Sequence, residues 1–171
     1  TNSTRKRNVT DKELNLLRYL QKSPADSVWF DTDGRKVAEG KLDQQWPVGY
    51  WKYYYNNGFI EYEGAYVNQK QEGKWIKYLD PAGIVTRLKY DKKIPADSFP
   101  NLNRLMHKIF HIENYKEGLR DGEFIFYQYA SYDKPKQISH YKKGKLEGTT
   151  IRYYDNGQIF YEQNYLDDKL H

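Results

Sequence analysis

Gly49-Tyr50-Trp51-Lys52-Tyr53-Tyr54-Tyr55-Asn56-Asn57-Gly58 reads as a strand running into a turn. Trp51, Tyr53 and Tyr55 alternate with Lys52 and Tyr54, the period of a pleated strand with two faces. Asn57-Gly58 then supplies a pair that tolerates left-handed backbone, as do Asp33-Gly34 and Asn156-Gly157. The opening of this stretch returns as Gly73-Lys74-Trp75-Ile76-Lys77-Tyr78, Gly122-Glu123-Phe124-Ile125-Phe126-Tyr127 and Gly148-Thr149-Thr150-Ile151-Arg152-Tyr153. A tyrosine stands five residues after each leading glycine: Tyr54, Tyr78, Tyr127 and Tyr153. A second tyrosine closes the units in phase, at Tyr66, Tyr90, Tyr115, Tyr141 and Tyr165. The chain is an internal repeat.

The leading glycines at 49 and 73 are 24 residues apart, those at 122 and 148 are 26 apart, and the gap of 49 between 73 and 122 holds two periods. The tetrapeptide Pro-Ala-Asp-Ser occurs at Pro24 to Ser27 and again at Pro95 to Ser98, close to three periods later. Six units follow, at 25–48, 49–72, 73–96, 97–121, 122–147 and 148–171. The fourth is degenerate: its first half lacks the Trp and Tyr signature, while Ile109 to Tyr115 matches Ile60 to Tyr66 in phase. The fifth replaces the Asn-Gly turn by Ser131-Tyr132-Asp133-Lys134-Pro135. Two strands per unit predict an all-β fold, an elongated, twisted antiparallel meander of about 12 strands spanning about 55 Å. His171 stops one residue short of the next leading glycine, which leaves Phe160 to Tyr165 as an expected edge strand.

Composition agrees with this architecture. The chain of 171 residues is only 38% hydrophobic, but 17% of it is aromatic and 18 residues are Tyr. Amphipathic rings therefore replace an aliphatic core, and the low mean hydropathy of −1.03 marks a thin sheet rather than disorder. The absence of cysteine removes a disulfide framework, thiol catalysis and Cys-ligated zinc. No apolar run is long enough for a transmembrane helix.

Residues 1–9 read as a flexible basic leader, and Thr10 to Lys22 as a short helix. Thr10 and Glu13 form a capping-box pair, and Leu14, Leu17 and Leu20 recur at helical spacing for covering the first strands. Ser23-Pro24 ends the helix, so residues 23–171 form a single repeat domain. The net charge is +5, but Arg5, Lys6 and Arg7 sit in the acid-free leader and only +2 is left on the body. That is too little for a nucleic-acid-binding face. The lysines at 134, 136, 142, 143 and 145 read as a solvated face or edge protection, with weak attraction to an anionic membrane surface as the competing reading.

The order G-x-W-x-x-Y-Y-x-N-G, then E-x-Y, then x-G-K-x-x-G resembles the MORN-variant repeat of bacterial proteins, including the YwqK-like antitoxins, over residues 25–171. The resemblance implies a hairpin per repeat and a non-enzymatic scaffolding role. An antitoxin-like or envelope-assembly function would consist of binding a partner protein. The sequence does not fix the compartment: a soluble protein is expected, with the bacterial envelope, periplasmic or surface, slightly favoured over the cytoplasm.

Two aromatic sets, Trp51/Trp75/Phe124 and Tyr54/Tyr78/Tyr127/Tyr153, are expected side by side on neighbouring strands, as cross-strand ladders that hold the sheet or present a stacking platform to a partner. The repeat glycines Gly49, Gly73, Gly122 and Gly148 mark tight reversals or close backbone approach. His107 and His111, with Glu113 and His140, have metal-ligating chemistry: on a short helical insertion over Leu102 to Phe110 the first two could meet one ion, whereas on a strand they lie about 13 Å apart and cannot. No nucleophile elbow, phosphate loop or Ser-His-Asp order is present, so no catalytic, cofactor or metal residue is assigned. The reading is a non-catalytic scaffold that binds a protein through its aromatic face or terminal edge strand, with self-association through that edge as a variant. The competing reading is a cell-wall or glycan-binding module using exposed Trp and Tyr strips.

Overall fold

The computed structural model describes residues 26–83, 107–127 and 134–171. The leader, the Thr10–Lys22 helix, the first half of the degenerate unit and Tyr90 lie outside these residues. What is described is one antiparallel sheet, whose strands are β1 (Asp26–Phe30), β2 (Lys36–Asp43), β3 (Trp46–Tyr54), β4 (Ile60–Val67), β5 (Lys70–Tyr78), β6 (Ile109–Lys116), β7 (Leu119–Arg120), β8 (Gly122–Tyr127), β9 (Pro135–Lys142), β10 (Lys145–Leu146), β11 (Gly148–Tyr153), β12 (Ile159–Leu166) and β13 (Lys169–Leu170). Strand order follows the chain from β1 to β6, then β8, β9, β11, β12 and β13; β7 and β10 are short arms on β6 and β9.

Three hairpins, β1–β2, β3–β4 and β11–β12, share one construction. Gly34, Gly58 and Gly157 adopt positive φ and donate to the carbonyls of Asp31, Tyr55 and Tyr154, three residues earlier. The residue before each glycine has no positive φ, so these are three-residue loops closed by a glycine bulge, not the two-residue turns the Asn-Gly pairs suggest. Two-residue turns with both residues at positive φ fall instead between hairpins, at Gln44-Gln45, Asn68-Gln69, Glu117-Gly118, Lys143-Gly144 and Asp167-Asp168. Their backbone twist matches that of the flanking strands.

Pairing around the degenerate unit departs from one hairpin per unit. β5, the first strand of the unit 73–96, pairs directly with β6, the second strand of the unit 97–121, from Gly73↔Tyr115 to Tyr78↔Ile109. This register repeats Gly49↔Tyr66 to Tyr54↔Ile60. The described residues therefore form five hairpins, and 30 residues lie between Tyr78 and Ile109 where five lie between Tyr54 and Ile60.

The core sits on one face of the N-terminal part, where Trp29, Ala38 and Trp51 are buried together. Trp29 and Trp51 stack with ring centroids 4.6 Å apart. Trp51 and Trp75 reach this position through a bulge at the leading glycine. Lys41 pairs Val48 and Glu39 pairs Lys52, so Gly49, Tyr50 and Trp51 face the single residue Gly40. Gly64 plays the same part for Trp75. A Cβ on Gly40 or Gly64 would lie 2.4 Å or 2.2 Å from the indole Cδ2, so only glycine lets the ring lie flat on the neighbouring strand. Trp51 Nε1 then donates to the Lys41 and Val48 carbonyls, and Trp75 Nε1 to that of Ala65.

Candidate binding surface

The aromatic residues singled out from the sequence occupy β3, β5, β8 and β11, which alternate with β4, β6 and β9, so they are not on neighbouring strands. They also divide between faces, because Trp51 and Tyr54 differ in parity on β3. Tyr62 and Tyr66 of β4 fill the space between, with ring centroids 4.7 Å and 5.0 Å from that of Trp75. Trp51, Tyr54 and Trp75 are buried, whereas Phe124, Tyr78, Tyr127 and Tyr153 are half-buried. The Trp positions are therefore core and not a stacking platform. Gly49, Gly73, Gly122 and Gly148 all have φ between 65° and 112°, as their reversal role requires.

On the opposite face the tyrosines are anchored by carboxylates. The Tyr54 hydroxyl donates to Glu39 and that of Tyr78 to Glu63, each on the strand before. Burial and the neighbouring carboxylate push both phenols above their ordinary value. Lys36 and Lys52 meet Glu39 in turn, and hydrogen bonds from Lys36 and Tyr54 hold the Glu39 carboxyl below its usual range despite partial burial.

Where Gly64 underlies Trp75 on one side, Glu113 stands directly opposite it on the other. Glu113 is 4% exposed. Its Oε2 accepts from the Tyr115 hydroxyl at 2.7 Å and the Tyr62 hydroxyl at 3.0 Å, and its Oε1 from Arg120. Burial favours the neutral acid, but the Tyr115 bond, the charges of Arg120 and His111, and the Tyr62 bond outweigh it and hold the carboxyl below its ordinary value. Arg120 is half-exposed and covers the Phe124 and Tyr141 rings at 5.6 Å and 5.3 Å. An open depression of about 390 Å³ lies beside this cluster, with Tyr62, Gln71, Tyr115 and Arg120 in its lining.

The residues with metal-ligating chemistry are not brought together. His111 Nε2 lies 3.9 Å from Glu113 Oε1, and burial followed by the Lys77 and Arg120 charges lowers its pKa against the pull of Glu113. His107 meets the Tyr78 ring edge-on, and His140 on β9 places Nδ1 2.8 Å from the Thr149 carbonyl. Among the described residues no group of three or more such side chains is set to hold a metal ion. Nor is any helix among them long and apolar enough to cross a membrane.

Two features escape a reading of ring and glycine positions. The first is a row of isoleucines, Ile76↔Ile112↔Ile125↔Ile138↔Ile151, one from each of five successive strands. Its signal was present in the spacing: Ile112, Ile125, Ile138 and Ile151 recur every 13 residues, half a period. The second is the exposed apolar surface of the last hairpin. Tyr154, Ile159, Phe160, Leu166 and Leu170 are each 49% exposed or more. β12 pairs with β11 along its length, but among the described residues its outer side pairs only at Tyr165 and Leu166, with β13, and at the Asn164 carbonyl, which accepts from His171 N. The expected edge at Phe160 to Tyr165 is thus where the sheet order nears its end.

The chain matches no protein-family model, and no curated protein matches it.

Proposed function

We propose that this protein is a non-catalytic repeat scaffold of MORN-variant type, which binds another protein through the edge of its terminal hairpin. The observation that carries this reading is the separation of its apolar surface. The Trp ladder is buried, while Tyr154, Ile159 and Phe160 are exposed beside an outer strand edge unpaired over most of its length. Such an edge offers backbone donors and acceptors for strand addition, and the rings beside it supply apolar contact. An antitoxin-like or envelope-assembly role is the form of partner binding that the repeat type suggests.

The test is a pull-down from the native host with the wild-type chain and a Phe160→Glu variant. Phe160 is 52% exposed, so the variant is expected to stay folded. A specific protein retained by the wild type and lost by the variant supports the scaffold. Retention on peptidoglycan or polysaccharide, without a protein partner, overturns it in favour of a glycan-binding module using rings such as Trp46 and Tyr50, 51% and 54% exposed.

A further inference from the structure

We infer that the depression beside Glu113 is a binding site for a neutral saccharide, which Arg120 and Gln71 hold through two neighbouring hydroxyls. This goes beyond the strand-edge contact proposed above, and neither reading requires the other.

One repeat position is filled differently here. After the turns between hairpins, the residues opposite Leu42, Tyr66, Tyr115, Tyr141 and Tyr165 are Pro47, Gln71, Arg120, Leu146 and Leu170 in turn. The two polar members, Gln71 and Arg120, line the same depression. Glu113 is a second departure, since the residues that pair Trp51, Trp75, Phe124 and Thr150 are Gly64, Glu113, Ser139 and Gln163. Neutralising Glu113 accounts for Arg120, but nothing internal accounts for Gln71. Gln71 is 7% exposed, and its side chain makes one bond, from Nε2 to the Tyr62 hydroxyl at 3.5 Å, long for an N–H donor. Its Oε1 has no partner among the described residues and is not sealed from solvent. A leucine, as at Leu146, would fill the place without a half-bonded amide. The polar contacts of Tyr62, Gln71, Glu113, Tyr115 and Arg120 all fall within the described residues.

The groups left over define the ligand. Tyr62 and Tyr115 spend their protons on Glu113, so toward the depression their oxygens only accept. Arg120 spends Nη2 on Glu113 and is held over the Phe124 and Tyr141 rings, yet its side chain is 42% exposed, so a fixed guanidinium offers its other N–H groups outward. The Gln71 amide both donates and accepts. Donors and acceptors therefore lie side by side. Among the described lining residues Arg120 alone is charged, and Glu113 is its counter-charge. A carboxylate or an ammonium group would leave part of this set unmatched, whereas adjacent hydroxyls, each donor and acceptor, match all of it. An extended peptide cannot add as a strand here, because β4, β5 and β6 are paired on both sides beside the depression. The volume of about 390 Å³ is that of a small-ligand site, and exposed Leu119 in its lining offers apolar surface to the C–H face of a sugar ring.

The test titrates the full 171-residue chain, isotopically labelled on nitrogen, with maltotriose, cellotriose and triacetylchitotriose, and with trigalacturonate as an acidic probe. The side-chain amide signals of Gln71 and the guanidinium signal of Arg120, followed by NMR, are expected to shift together and saturate with a neutral probe. Gln71→Leu is expected to weaken that binding about tenfold, the loss of about one hydrogen bond, without lowering the thermal midpoint. Arg120→Lys, which keeps a cation beside Glu113 but loses the planar fork, is expected to weaken it as well. Unchanged binding in Gln71→Leu overturns the inference. So do the absence of a shift with every neutral probe, tighter binding of trigalacturonate, and shifts confined to Trp46 and Tyr50. A chain that binds a neutral probe but captures no protein through Phe160 overturns the scaffold reading alone, and the converse overturns the saccharide site alone.

Discussion

From β1 to β5 the sheet is built on indoles lying on glycines, and from β8 to β11 it is built on isoleucines, although both parts repeat the same hairpin. In the first part Trp51 covers Gly40 and Trp75 covers Gly64, with Glu39 and Glu63 accepting from Tyr54 and Tyr78 on the other face. In the second, the Trp position holds Phe124 and then Thr150, and the glycine position holds Glu113 and then Ser139. The glutamate position becomes Ile112 and Ile138. A single cross-strand row records the change: Glu39, Lys52 and Glu63, then the five isoleucines, then Glu162. A large ring needs a missing Cβ beneath it, so Trp and Gly change together, whereas the far face is free to switch from hydrogen-bonded charge to aliphatic packing. Hairpin geometry is thus separable from core chemistry, and Glu113, opposite Trp75 and below the half-buried Phe124, sits where the two systems meet.

Removing the ring should break the first system most. Trp75→Ala is expected to cost about 3–5 kcal/mol, measured by urea unfolding, while Phe124→Ala at the equivalent half-buried position costs clearly less. Equal losses would mean that the two parts are not differently built. Next comes the boundary. Glu113→Ala leaves Arg120 and two tyrosine hydroxyls without their acceptor and is expected to cost about 2–4 kcal/mol. Replacing Arg120 in the same background should then cost little more, and a double-mutant cycle in calorimetry checks this. Adding one methyl is smaller again: Gly64→Ala forces the Trp75 indole from its seat at about 1–3 kcal/mol, but Gln163→Ala, at the same repeat position on β12, should leave the unfolding midpoint almost unmoved. In the isoleucine row, Ile125→Val is expected to cost about 0.5–1.5 kcal/mol, a loss that should be absent when Lys52, its counterpart in the charged part, is changed to Arg.

The pH dependence is the finest probe. His111 and Glu113 both have folded pKa values below their ordinary ones, so the unfolded chain binds more protons and acid destabilises the fold through each. The His111 contribution is complete above its ordinary 6.5 and fades as the pH falls below it. The Glu113 contribution is complete above 4.5 and fades as the pH drops through the lower folded value. Thermal midpoints across this range are expected to decline in two stages, and His111→Gln should remove the first. A single-stage decline in the wild type would separate His111 from the boundary cluster.

The hairpins were legible because the glycine, aromatic and turn positions recur in one phase, and local geometry alone sets them. The leading glycines and the closing tyrosines Tyr66, Tyr115, Tyr141 and Tyr165 needed nothing else. Burial of Trp51 and Trp75 was less legible, because it depends on Gly40 and Gly64, each eleven residues earlier, coming beneath them across a bulge. Glu113 could be read only as a ligand type, since its partners Tyr62 and Arg120 come from β4 and β7. The degenerate unit was seen as irregular, but the pairing of its second strand, Ile109 to Tyr115, with β5 of the unit before it is visible only in the sheet.

The sequence by itself determined that this is a β-hairpin repeat, where its turns fall and that rings replace an aliphatic core, because alternation and turn preference are local properties of neighbouring residues. Which residues meet across strands was decided only in the tertiary structure. Register places the indoles on glycines, lines up isoleucines 13 apart and surrounds Glu113 with donors, and it is set jointly by bulges and by the pairing of segments distant in the chain.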